Sequence, residues 1–373
     1  MSALPFLTTR FCAVLAALFA SGAVHADAPA DFLRLPPGFK AEILIPDVPK
    51  ARSMALGDSG TLFVGTRFGD GTVYAIRDAL GPHPQVSKFV QGLKVPNGVA
   101  FHDGALYVAE QRRILRFPQA EQHSDEPRIP EVVDAQLPYK TGLHAWKYLA
   151  FGPDDKLYVP VGAPCNVCDE KDFGLILRMN PDGSERKVVA RGVRNSVGMS
   201  WHPLTGELWF TDNGRDMLGD ESPADELNRM PVTGLNFGFP FCHGRDVIDP
   251  QFGALGKCAD MQAPVQELGP HVAALGVRFY TGSMFPVEYR NQIFIAEHGS
   301  WNRSKDAGRT GYRIALVRLK GNAAVAYEPF AEGWIDGDKV VGRPVDLLVA
   351  PDGSLLVSDD ERGVIYRISY QGG

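Results

Sequence analysis

Three basic residues, His144, Arg194 and Arg343, lie shortly before apolar segments of similar sequence, at similar offsets. Arginine stays charged, and its N–H groups match the geometry of a carboxylate, so two arginines at one site favour an anionic ligand. A histidine beside them could accept a proton near neutral pH. A single histidine is more often structural, but the shared offset of the three residues predicts a common acid–base site.

A second candidate site is the segment AEHGSWNRSKDAG, residues 296–308. It follows the apolar run at 292–295, which predicts a short buried strand. A turn needs glycine and asparagine, but it does not need His298, Trp301 and Arg303 together. Trp301 could offer its flat face to a ring-shaped ligand, or it could pack beneath the loop as a structural plug.

One type of segment recurs six times along the chain. Each copy has small or apolar residues, a turn rich in Asp and Gly, and a short apolar strand. The copies cover residues 55–66, 100–110, 150–161, 200–212, 285–297 and 349–360. Most copies are followed by a second strand, and two strands joined by such a turn are typical of a β-hairpin.

The spacing of the copies predicts an all-β fold, a single six-bladed β-propeller over residues 27–373. The strands start at positions 61, 105, 156, 207, 292 and 354. Repeats of about 40–50 residues with about four strands each are typical of propeller blades. The one long gap, between the fourth and fifth copies, predicts a loop-rich insertion at about residues 213–270. Propeller loops converge on one mouth, where the three basic residues could meet.

The first 26 residues have the pattern of a secretory signal peptide. An apolar stretch follows Arg10, and Val24 and Ala26 are small residues at the expected cleavage point. No later segment approaches the ~18 uninterrupted apolar residues of a membrane-spanning helix. The sequence therefore predicts an exported protein, periplasmic or secreted, with no transmembrane segment.

The charge of the mature chain excludes a typical nucleic-acid-binding protein. The whole chain has 38 Lys and Arg and 44 Asp and Glu, and loss of Arg10 leaves 37 minus 44, or −7. The charges are scattered and form no basic run. Nucleic acid is therefore not an expected partner.

Four cysteines remain after the predicted cleavage, and in an exported protein they favour two disulfides. Proximity favours Cys165–Cys168 and Cys242–Cys258, although sequence does not determine the connectivity. The C-x-x-C pair could instead be a redox or metal motif. A haem attachment motif is excluded, because Asp169 stands where that motif has histidine.

The predicted insertion begins with a cluster of acidic residues: Asp216, Asp220, Glu221, Asp225 and Glu226. Carboxylate and carbonyl oxygens are the ligands of a hard cation such as calcium. The spacing matches no EF-hand loop, however, and a solvated acidic loop is an equal alternative.

Several motifs, taken in their order along the chain, resemble the glucose/sorbosone dehydrogenase family. They are HGSWNRS (298–304), GRPVDLLVAPDGSLLVSDD (342–360), RGVRNSVGMSWHP (191–203) and ADELN (224–228). The resemblance is strongest for the sorbosone dehydrogenase-like branch, with GAPCNVC (162–168) and FGFPFCHG (237–244). It covers nearly the whole mature chain. It implies an exported six-bladed propeller that uses pyrroloquinoline quinone (PQQ) and calcium.

The resemblance implies roles for the three basic residues. His144 matches the family's catalytic base, and Arg194 with Asn195 matches the pair that contacts the quinone. Arg343 matches an arginine that binds a carboxylate of the cofactor. Arg194 and calcium would also stabilise negative charge on the quinone oxygen.

The resemblance also implies where the calcium and the rim of the cofactor site lie. The backbone carbonyls of Gly214 and Arg215 would hold the cofactor-bound calcium. His298, Trp301 and Arg303 would line the rim near the quinone.

Two departures from the family pattern bear on the substrate. Val345 stands where the glucose-oxidising members have a second arginine. Those members also have a lysine against the quinone, and the corresponding position falls near residues 298–300, which include no lysine. Arg303 or Lys305 could supply that charge. The aromatic residues that hold glucose have no clear counterpart in residues 268–282. The resemblance as a whole implies a sugar, a sugar aldehyde or a related alcohol as the substrate, without specifying which one.

The implied reaction is hydride transfer from that substrate to PQQ, with His144 taking the hydroxyl proton. Because the chain has no haem motif, an external acceptor such as a cytochrome or a quinone would complete the cycle.

An alternative is a calcium-dependent sugar lactonase, with Asn97, Asn195 and Asp346 as metal ligands. Another is a non-enzymatic NHL-like binding propeller. A third is a degenerate family member that has lost the cofactor. The replacement of an arginine by Val345 is the reason for this alternative.

Overall fold

The computed structural model of the protein describes residues 28–126 and 129–372, and it places every sequence repeat at the second strand of a sheet whose four blade strands are antiparallel. Six such sheets follow one another, and the innermost strand of the last sheet contacts that of the first, which closes a ring. The prediction of an all-β, six-bladed β-propeller is confirmed. The predicted signal peptide at residues 1–26 lies outside the described residues.

The strands up to the fourth blade follow chain order. Two strands precede the first blade: β1 (Ala28–Pro29) and β2 (Phe39–Ile45). Blade 1 contains β3 (Ala51–Leu56), β4 (Leu62–Thr66), β5 (Val73–Arg77) and β6 (Gln85–Val90). Blade 2 contains β7 (Gly98–His102), β8 (Ala105–Ala109), β9 (Ile114–Phe117) and β10 (Glu131–Asp134). Blade 3 contains β11 (Ala150–Phe151), β12 (Leu157–Val161), β13 (Leu175–Met179) and β14 (Lys187–Arg191).

Blade 4 is interrupted by an excursion. Its strands β15 (Met199–Trp201), β16 (Leu208–Asp212) and β17 (Ala224–Met230) come first. The excursion adds β18 (Leu235–Asn236), β19 (Cys242–His243) and β20 (Val247–Ile248) before the fourth strand, β21 (Gln266–Pro270). Two blade strands thus lie inside the range expected for the insertion, about 213–270, and the excursion itself spans residues 231–265.

Both disulfides join the predicted pairs. Cys242–Cys258 ties the two sides of the excursion together, and Cys165–Cys168 closes a short loop after β12. A cross-link restricts the unfolded chain and so limits the entropy lost when a loop-rich segment folds. The excursion therefore has a covalent constraint where it has little regular structure.

The remaining strands form the last two blades and one small hairpin. Blade 5 contains β22 (Ala274–Phe279), β23 (Ile293–Glu297), β24 (Arg313–Lys320) and β25 (Ala323–Glu332). The hairpin is β26 (Ile335–Asp336) with β27 (Lys339–Val340). Blade 6 contains β28 (Pro344–Val349), β29 (Leu355–Asp359) and β30 (Val364–Tyr370), and β2 completes it.

Helical structure in residues 28–126 and 129–372 is limited to short 3-10 turns. They are Gly253–Leu255, Cys258–Asp260 and Val287–Tyr289. No helix in those ranges is long and apolar enough to cross a membrane.

The hydrophobic core lies between neighbouring blades. Successive side chains of a strand point to opposite faces. In β4, Leu62 and Val64 pack in the cluster shared with blade 6, whereas Phe63 packs in the cluster shared with blade 2. Because both faces are covered, the second strand of a blade is continuously apolar. This explains the short apolar runs that mark the repeats.

The ring is closed by pairing the two ends of the described chain. β2 adds to β30 as the outer strand of blade 6, with Phe39 opposite Tyr370 and Ala41 opposite Ile368. The ring of Phe39 lies 4.8 Å from that of Phe285 and 5.0 Å from those of Phe330 and Tyr370. The closing strand is thus held by both hydrogen bonds and aromatic contacts with blade 5.

We expect Phe39→Ala to lower the free energy of unfolding by about 3 kcal/mol, because truncating a packed phenylalanine loses its contacts and leaves a cavity. Urea unfolding would measure the change. The matched control is Phe68→Ala, whose side chain is 55% exposed and should change stability by less than about 0.5 kcal/mol. Equal changes in the two variants would contradict a closing role for Phe39.

Candidate functional site

Two kinds of loop meet at one end of the propeller. The chain reverses direction at each strand of a blade. The loop from the second to the third strand therefore lies at the same end as the link from the fourth strand to the next blade. Arg67 and His298 follow the second strands β4 and β23, whereas His144, Arg194 and Arg343 lie in links that precede blades 3, 4 and 6. The similar offsets in the sequence arise from this geometry.

These loops surround a cavity of about 510 Å³. This volume is within the range of about 300–1,000 Å³ that is usual for small-molecule sites. Its cationic residues are Lys50, Arg67, Arg194 and Arg343, and its acidic residues are Asp216, Asp225, Asp360 and Glu361. His144, Asn195, His298 and Trp301 also line it. The structure thus brings together most of the residues that the sequence predicts.

His144 is buried in the cavity wall and is held in one tautomer. Its Nδ1 lies 2.8 Å from the carbonyl oxygen of Ala163. A carbonyl only accepts hydrogen bonds, so Nδ1 carries the proton and Nε2 is left as an acceptor. Burial, followed by the charges of Arg194 and Arg67, lowers the pKa of His144 to about 3. The imidazole is therefore neutral at physiological pH.

Arg194 uses all five of its N–H groups within the protein. Nε donates to the carbonyl of Asn166 at 2.9 Å, and Nη2 donates to the Asn166 side chain and to Asp216, both at 2.9 Å. Nη1 donates to the carbonyls of Asn213 and Gly214, at 3.1 and 2.6 Å. Arg194 can therefore act on a ligand through its charge, but in this arrangement it has no N–H group left to donate.

Buried aspartates at the ends of second strands hold these loops. Asp212, the last residue of β16, accepts the backbone N–H groups of Arg194 and Asn195 at 2.7 and 2.5 Å. Asp359, the last residue of β29, accepts the backbone N–H of Arg343 at 3.0 Å. Burial raises the pKa of both carboxyl groups. The sequence signal for this role was an Asp at the end of the repeat strand, which recurs in blades 4 and 6.

Arg343 and His298 form a second group on the cavity wall. Nη1 of Arg343 donates to the carbonyls of His298 and Gly299, each at 3.2 Å, and Nη2 donates to the Tyr312 hydroxyl at 3.1 Å. His298 Nε2 lies 2.9 Å from Asp360, so its other nitrogen faces Arg343 as an acceptor. Within the described ranges, Arg343 keeps its Nε–H and one Nη2–H without a protein partner. These two groups could bind a carboxylate at two points.

Trp301 and Arg303, from the same loop, have different environments. Trp301 is 66% exposed and lines the cavity, so it does not pack beneath the loop. Arg303 lies outside the cavity and donates to Gly308, Ala307, Asp220 and Glu221. The structure therefore gives Arg303 a role in holding the loop, in place of the expected contact with a cofactor.

The two predicted calcium carbonyls differ in position. Gly214 lines the cavity, and its oxygen already accepts from Arg194, whereas the Arg215 side chain turns away to pair with Asp249. A Cβ on Gly214 would lie 2.9 Å from the carbonyl oxygen of Ala224, so this position requires glycine. The described ranges contain no group of three or more His, Cys, Asp or Glu side chains that could hold a metal.

The acidic cluster of the predicted insertion is dispersed among separate partners. Asp220 accepts from Ser304, Glu221 pairs with Arg303, and Glu226 accepts the backbone N–H of Gly244. Asp225 accepts the backbone N–H groups of Gly214 and Ala274, and its burial raises its pKa to about 6. These carboxylates support loops and do not form a metal cage with one another.

Comparison with known proteins places this site in a family. The sequence model for glucose/sorbosone dehydrogenase matches residues 107–367, more than two thirds of the chain. The chain belongs to the glucose/sorbosone dehydrogenase family. A curated relative from Borreliella burgdorferi, an uncharacterized protein, is 32% identical over 371 residues and covers 95% of both chains.

Solved structures share the fold of this family member. The holo form of the pyranose dehydrogenase PQQ domain from Coprinopsis cinerea has a TM-score of 0.75 at 18% identity, covering 90% of this chain and 97% of that one. The PQQ-bound aldose sugar dehydrogenase from Streptomyces coelicolor has a TM-score of 0.64 at 22% identity, covering 90% and 99%. At these identities the similarity shows a common propeller.

Arg67 and Trp146 are cavity residues that the sequence predictions missed. The Arg67 guanidinium lies 3.5 Å from the centroid of the Trp146 ring, and Trp146 packs on the apolar cluster of Val197, Leu275 and Val345. Val345 stands where glucose-oxidising family members have an arginine. In this chain it is part of an apolar wall. Neither Arg303 nor Lys305 lines the cavity, and the cations there that the sequence predictions did not include are Arg67 and the exposed Lys50. Arg67 directly follows β4, as His298 directly follows β23. This equivalent position in the repeat could have predicted that Arg67 lines the cavity.

We expect the His144 imidazole to remain neutral from pH 8 down to pH 4. Its pKa is lowered, so protonation requires a far lower pH than the ~6.5 of an ordinary histidine. Nitrogen-15 NMR of histidine-labelled protein would follow the ring, and the His144→Gln variant would assign its signal. A midpoint near pH 6.5 for that signal would contradict the burial and charge environment described above.

Proposed function

We propose that the protein is an exported PQQ- and calcium-dependent dehydrogenase that oxidises a hydroxyl group of a sugar, a sugar aldehyde hydrate or a related alcohol. One observation carries the proposal. His144 presents an unprotonated Nε2 inside a cavity whose walls carry several fixed cations. A positioned neutral imidazole can accept a hydroxyl proton, and cations can hold an anionic cofactor and stabilise developing negative charge.

Family membership supports this reaction class. The matched family is one of dehydrogenases, and two structures with the same fold are described as a holo PQQ domain and a PQQ-bound enzyme. The two disulfides support an oxidising compartment, in agreement with the predicted signal peptide. An external electron acceptor, a cytochrome or a quinone, completes the proposed cycle.

The residues present fit a planar anionic quinone. Arg343 has two N–H groups free for a carboxylate, and the Nε1–H of Trp146 is buried without a partner among the described residues. Trp146 and Leu275 give the cavity an apolar wall, and Trp301 offers an exposed aromatic face. PQQ would be held by Arg343 and Asn195, with His298 and Trp301 at its edge and the charge of Arg194 nearby.

Calcium fits the site only together with such a ligand. Gly214 and Arg215 are proposed to supply backbone carbonyl oxygens, and each carbonyl oxygen has two lone pairs. Gly214 can thus accept from Arg194 and still face a cation. Calcium takes six to eight oxygens, so the remaining ligands would come from the cofactor and from water.

When bound, PQQ supplies a carbonyl carbon that accepts hydride. The protein residues do the rest. His144 orients the substrate hydroxyl at Nε2 and takes its proton, while Ala163 keeps the proton of Nδ1 in place. Arg194 contributes positive charge, and Asp212 keeps the backbone of Arg194 fixed. Anions in the cavity would offset Arg194 and Arg67, so the pKa of His144 should rise when the site is filled.

The lactonase alternative receives no support from the geometry. Asn97 and Asp346 do not line the cavity with Asn195. Asn97 accepts from Arg52 Nε and donates to the carbonyl of Lys147, and Asp346 accepts two backbone N–H groups. The three proposed metal ligands are therefore occupied or separated.

Reconstitution tests the proposal directly. We expect the purified mature chain to bind PQQ with a requirement for calcium, and then to reduce an artificial electron acceptor when a suitable sugar or alcohol is added. Absorbance titration measures binding, and dye reduction across aldoses, sorbosone and simple alcohols measures turnover. EDTA should abolish both. Absence of PQQ binding with calcium present would overturn the proposal.

We expect His144→Ala to lower turnover by about 10²- to 10⁴-fold, the usual contribution of a positioned base. Affinity for PQQ should stay within a few fold, because His144 is proposed to contact the substrate. Steady-state dye reduction and PQQ titration would measure the two quantities. The control is His83→Ala on an exposed loop of blade 1, which should match the unsubstituted protein. Unchanged turnover in His144→Ala would refute its role as base.

A further inference from the structure

Arg67 is a cation of the cavity wall without a hydrogen-bonded anionic partner in the part of the chain that the structure describes. Its guanidinium lies 3.5 Å from the centroid of the Trp146 ring and 4.7 Å from that of Phe68. Across residues 28–126 and 129–372 it forms no hydrogen bond and no ion pair. Burial and the nearby charge of Arg52 lower the pKa of Arg67 to about 9, so it is still charged at pH 7.

The carboxylate of Asp360 acts on Arg67 electrostatically, but it already has other partners. Asp360 accepts from Arg52 Nη1 and lies 2.9 Å from His298 Nε2. Arg52 is itself fully buried, and its Nη2 has no partner within the described ranges. Asp360 is thus shared between Arg52 and Arg67, and the Arg67 side chain is only partly exposed to solvent. An unpaired buried charge is costly unless a ligand compensates for it.

Arg67 lies on the side of the cavity that holds the proposed base. His144 packs edge-on against Trp146, with ring centroids 5.9 Å apart, while Arg67 stacks on the same ring. Arg343, with its two free N–H groups, lies instead with His298 and Tyr312. A carboxylate of the cofactor can thus be bound by Arg343, whereas Arg67 shares the Trp146 ring with His144.

We propose that the substrate carries an anionic group, a carboxylate or a phosphate, and that Arg67 binds it beside the hydroxyl group that His144 deprotonates. This inference rests on the proposed function and names its substrate class, acidic sugars. The anion would fill the free N–H groups of Arg67. It would also offset a charge that weakens His144 as a base, so binding and proton abstraction would both favour an acidic substrate.

Matched pairs of sugars test the substrate class. In the reconstituted protein, glucuronate should exceed glucose, and galacturonate should exceed galactose, by about 10- to 100-fold in kcat/KM, the usual effect of one charged hydrogen-bonded pair. Sugar phosphates, compared with the same neutral sugars, distinguish phosphate from carboxylate as the preferred anion. Equal kcat/KM values within every pair would overturn the proposal.

Variants at Arg67 separate a substrate contact from a cofactor contact. Arg67→Gln should remove the preference for acidic sugars while leaving the affinity for PQQ within a few fold, and Arg67→Lys should restore part of the preference. The matched control is Arg290→Gln, an exposed arginine of blade 5. A large loss of PQQ affinity in Arg67→Gln with an unchanged sugar preference would assign Arg67 to the cofactor and overturn the proposal.

Binding without turnover provides a readout that is independent of PQQ. Titration of the cofactor-free protein with glucuronate should change the fluorescence of Trp146, because an anion at Arg67 alters the contact between the guanidinium and the indole. Trp146→Phe would assign the signal among the five tryptophans, and Arg67→Gln should abolish the change. If PQQ does not bind, the proposed function fails while this titration still decides anion binding. No response to glucuronate or to a sugar phosphate would count against Arg67 as an anion site.

Discussion

The pairing of β2 with β30 is the constraint on which the rest of the molecule depends. A propeller without it would have a three-stranded last blade with an open edge, and the aromatic cluster around Phe39 would be uncovered. The closure also sets the cavity. Arg67 comes from blade 1 and Arg343 from blade 6, so the two cations face one cavity only because the ring brings the first and last blades together.

Buried carboxylates give the loops at the cavity their precision. Asp212, Asp225 and Asp359 each accept backbone N–H groups from loops that carry site residues. Burying a carboxylate is unfavourable, as the raised pKa of each of the three shows, but an N–H group left unpaired in a loop would be costly too. The loops therefore hold Arg194 and Arg343 in place by interactions that do not involve a ligand.

The site was predictable where a residue type, its offset in the repeat and the family resemblance agreed. His144, Arg194, Asn195 and Arg343 meet all three conditions, and all line the cavity. Arg303 shared the resemblance but turns into its own loop, because nearby carbonyl and carboxylate oxygens satisfy its guanidinium. A sequence shows which side chains can donate hydrogen bonds, but it does not show which acceptors lie within reach of them.

The sequence by itself determined the six blades, their all-β character and the end of the fold where polar residues gather. These features follow from local patterns: alternation, turn residues and the repeat period. Only the tertiary structure decided which cations are satisfied. Arg194 donates all its N–H groups to the protein, whereas Arg67, stacked on Trp146, donates none within the described ranges. That difference depends on contacts between blades far apart in the chain, and it separates a residue that supports the site from one left free for a ligand.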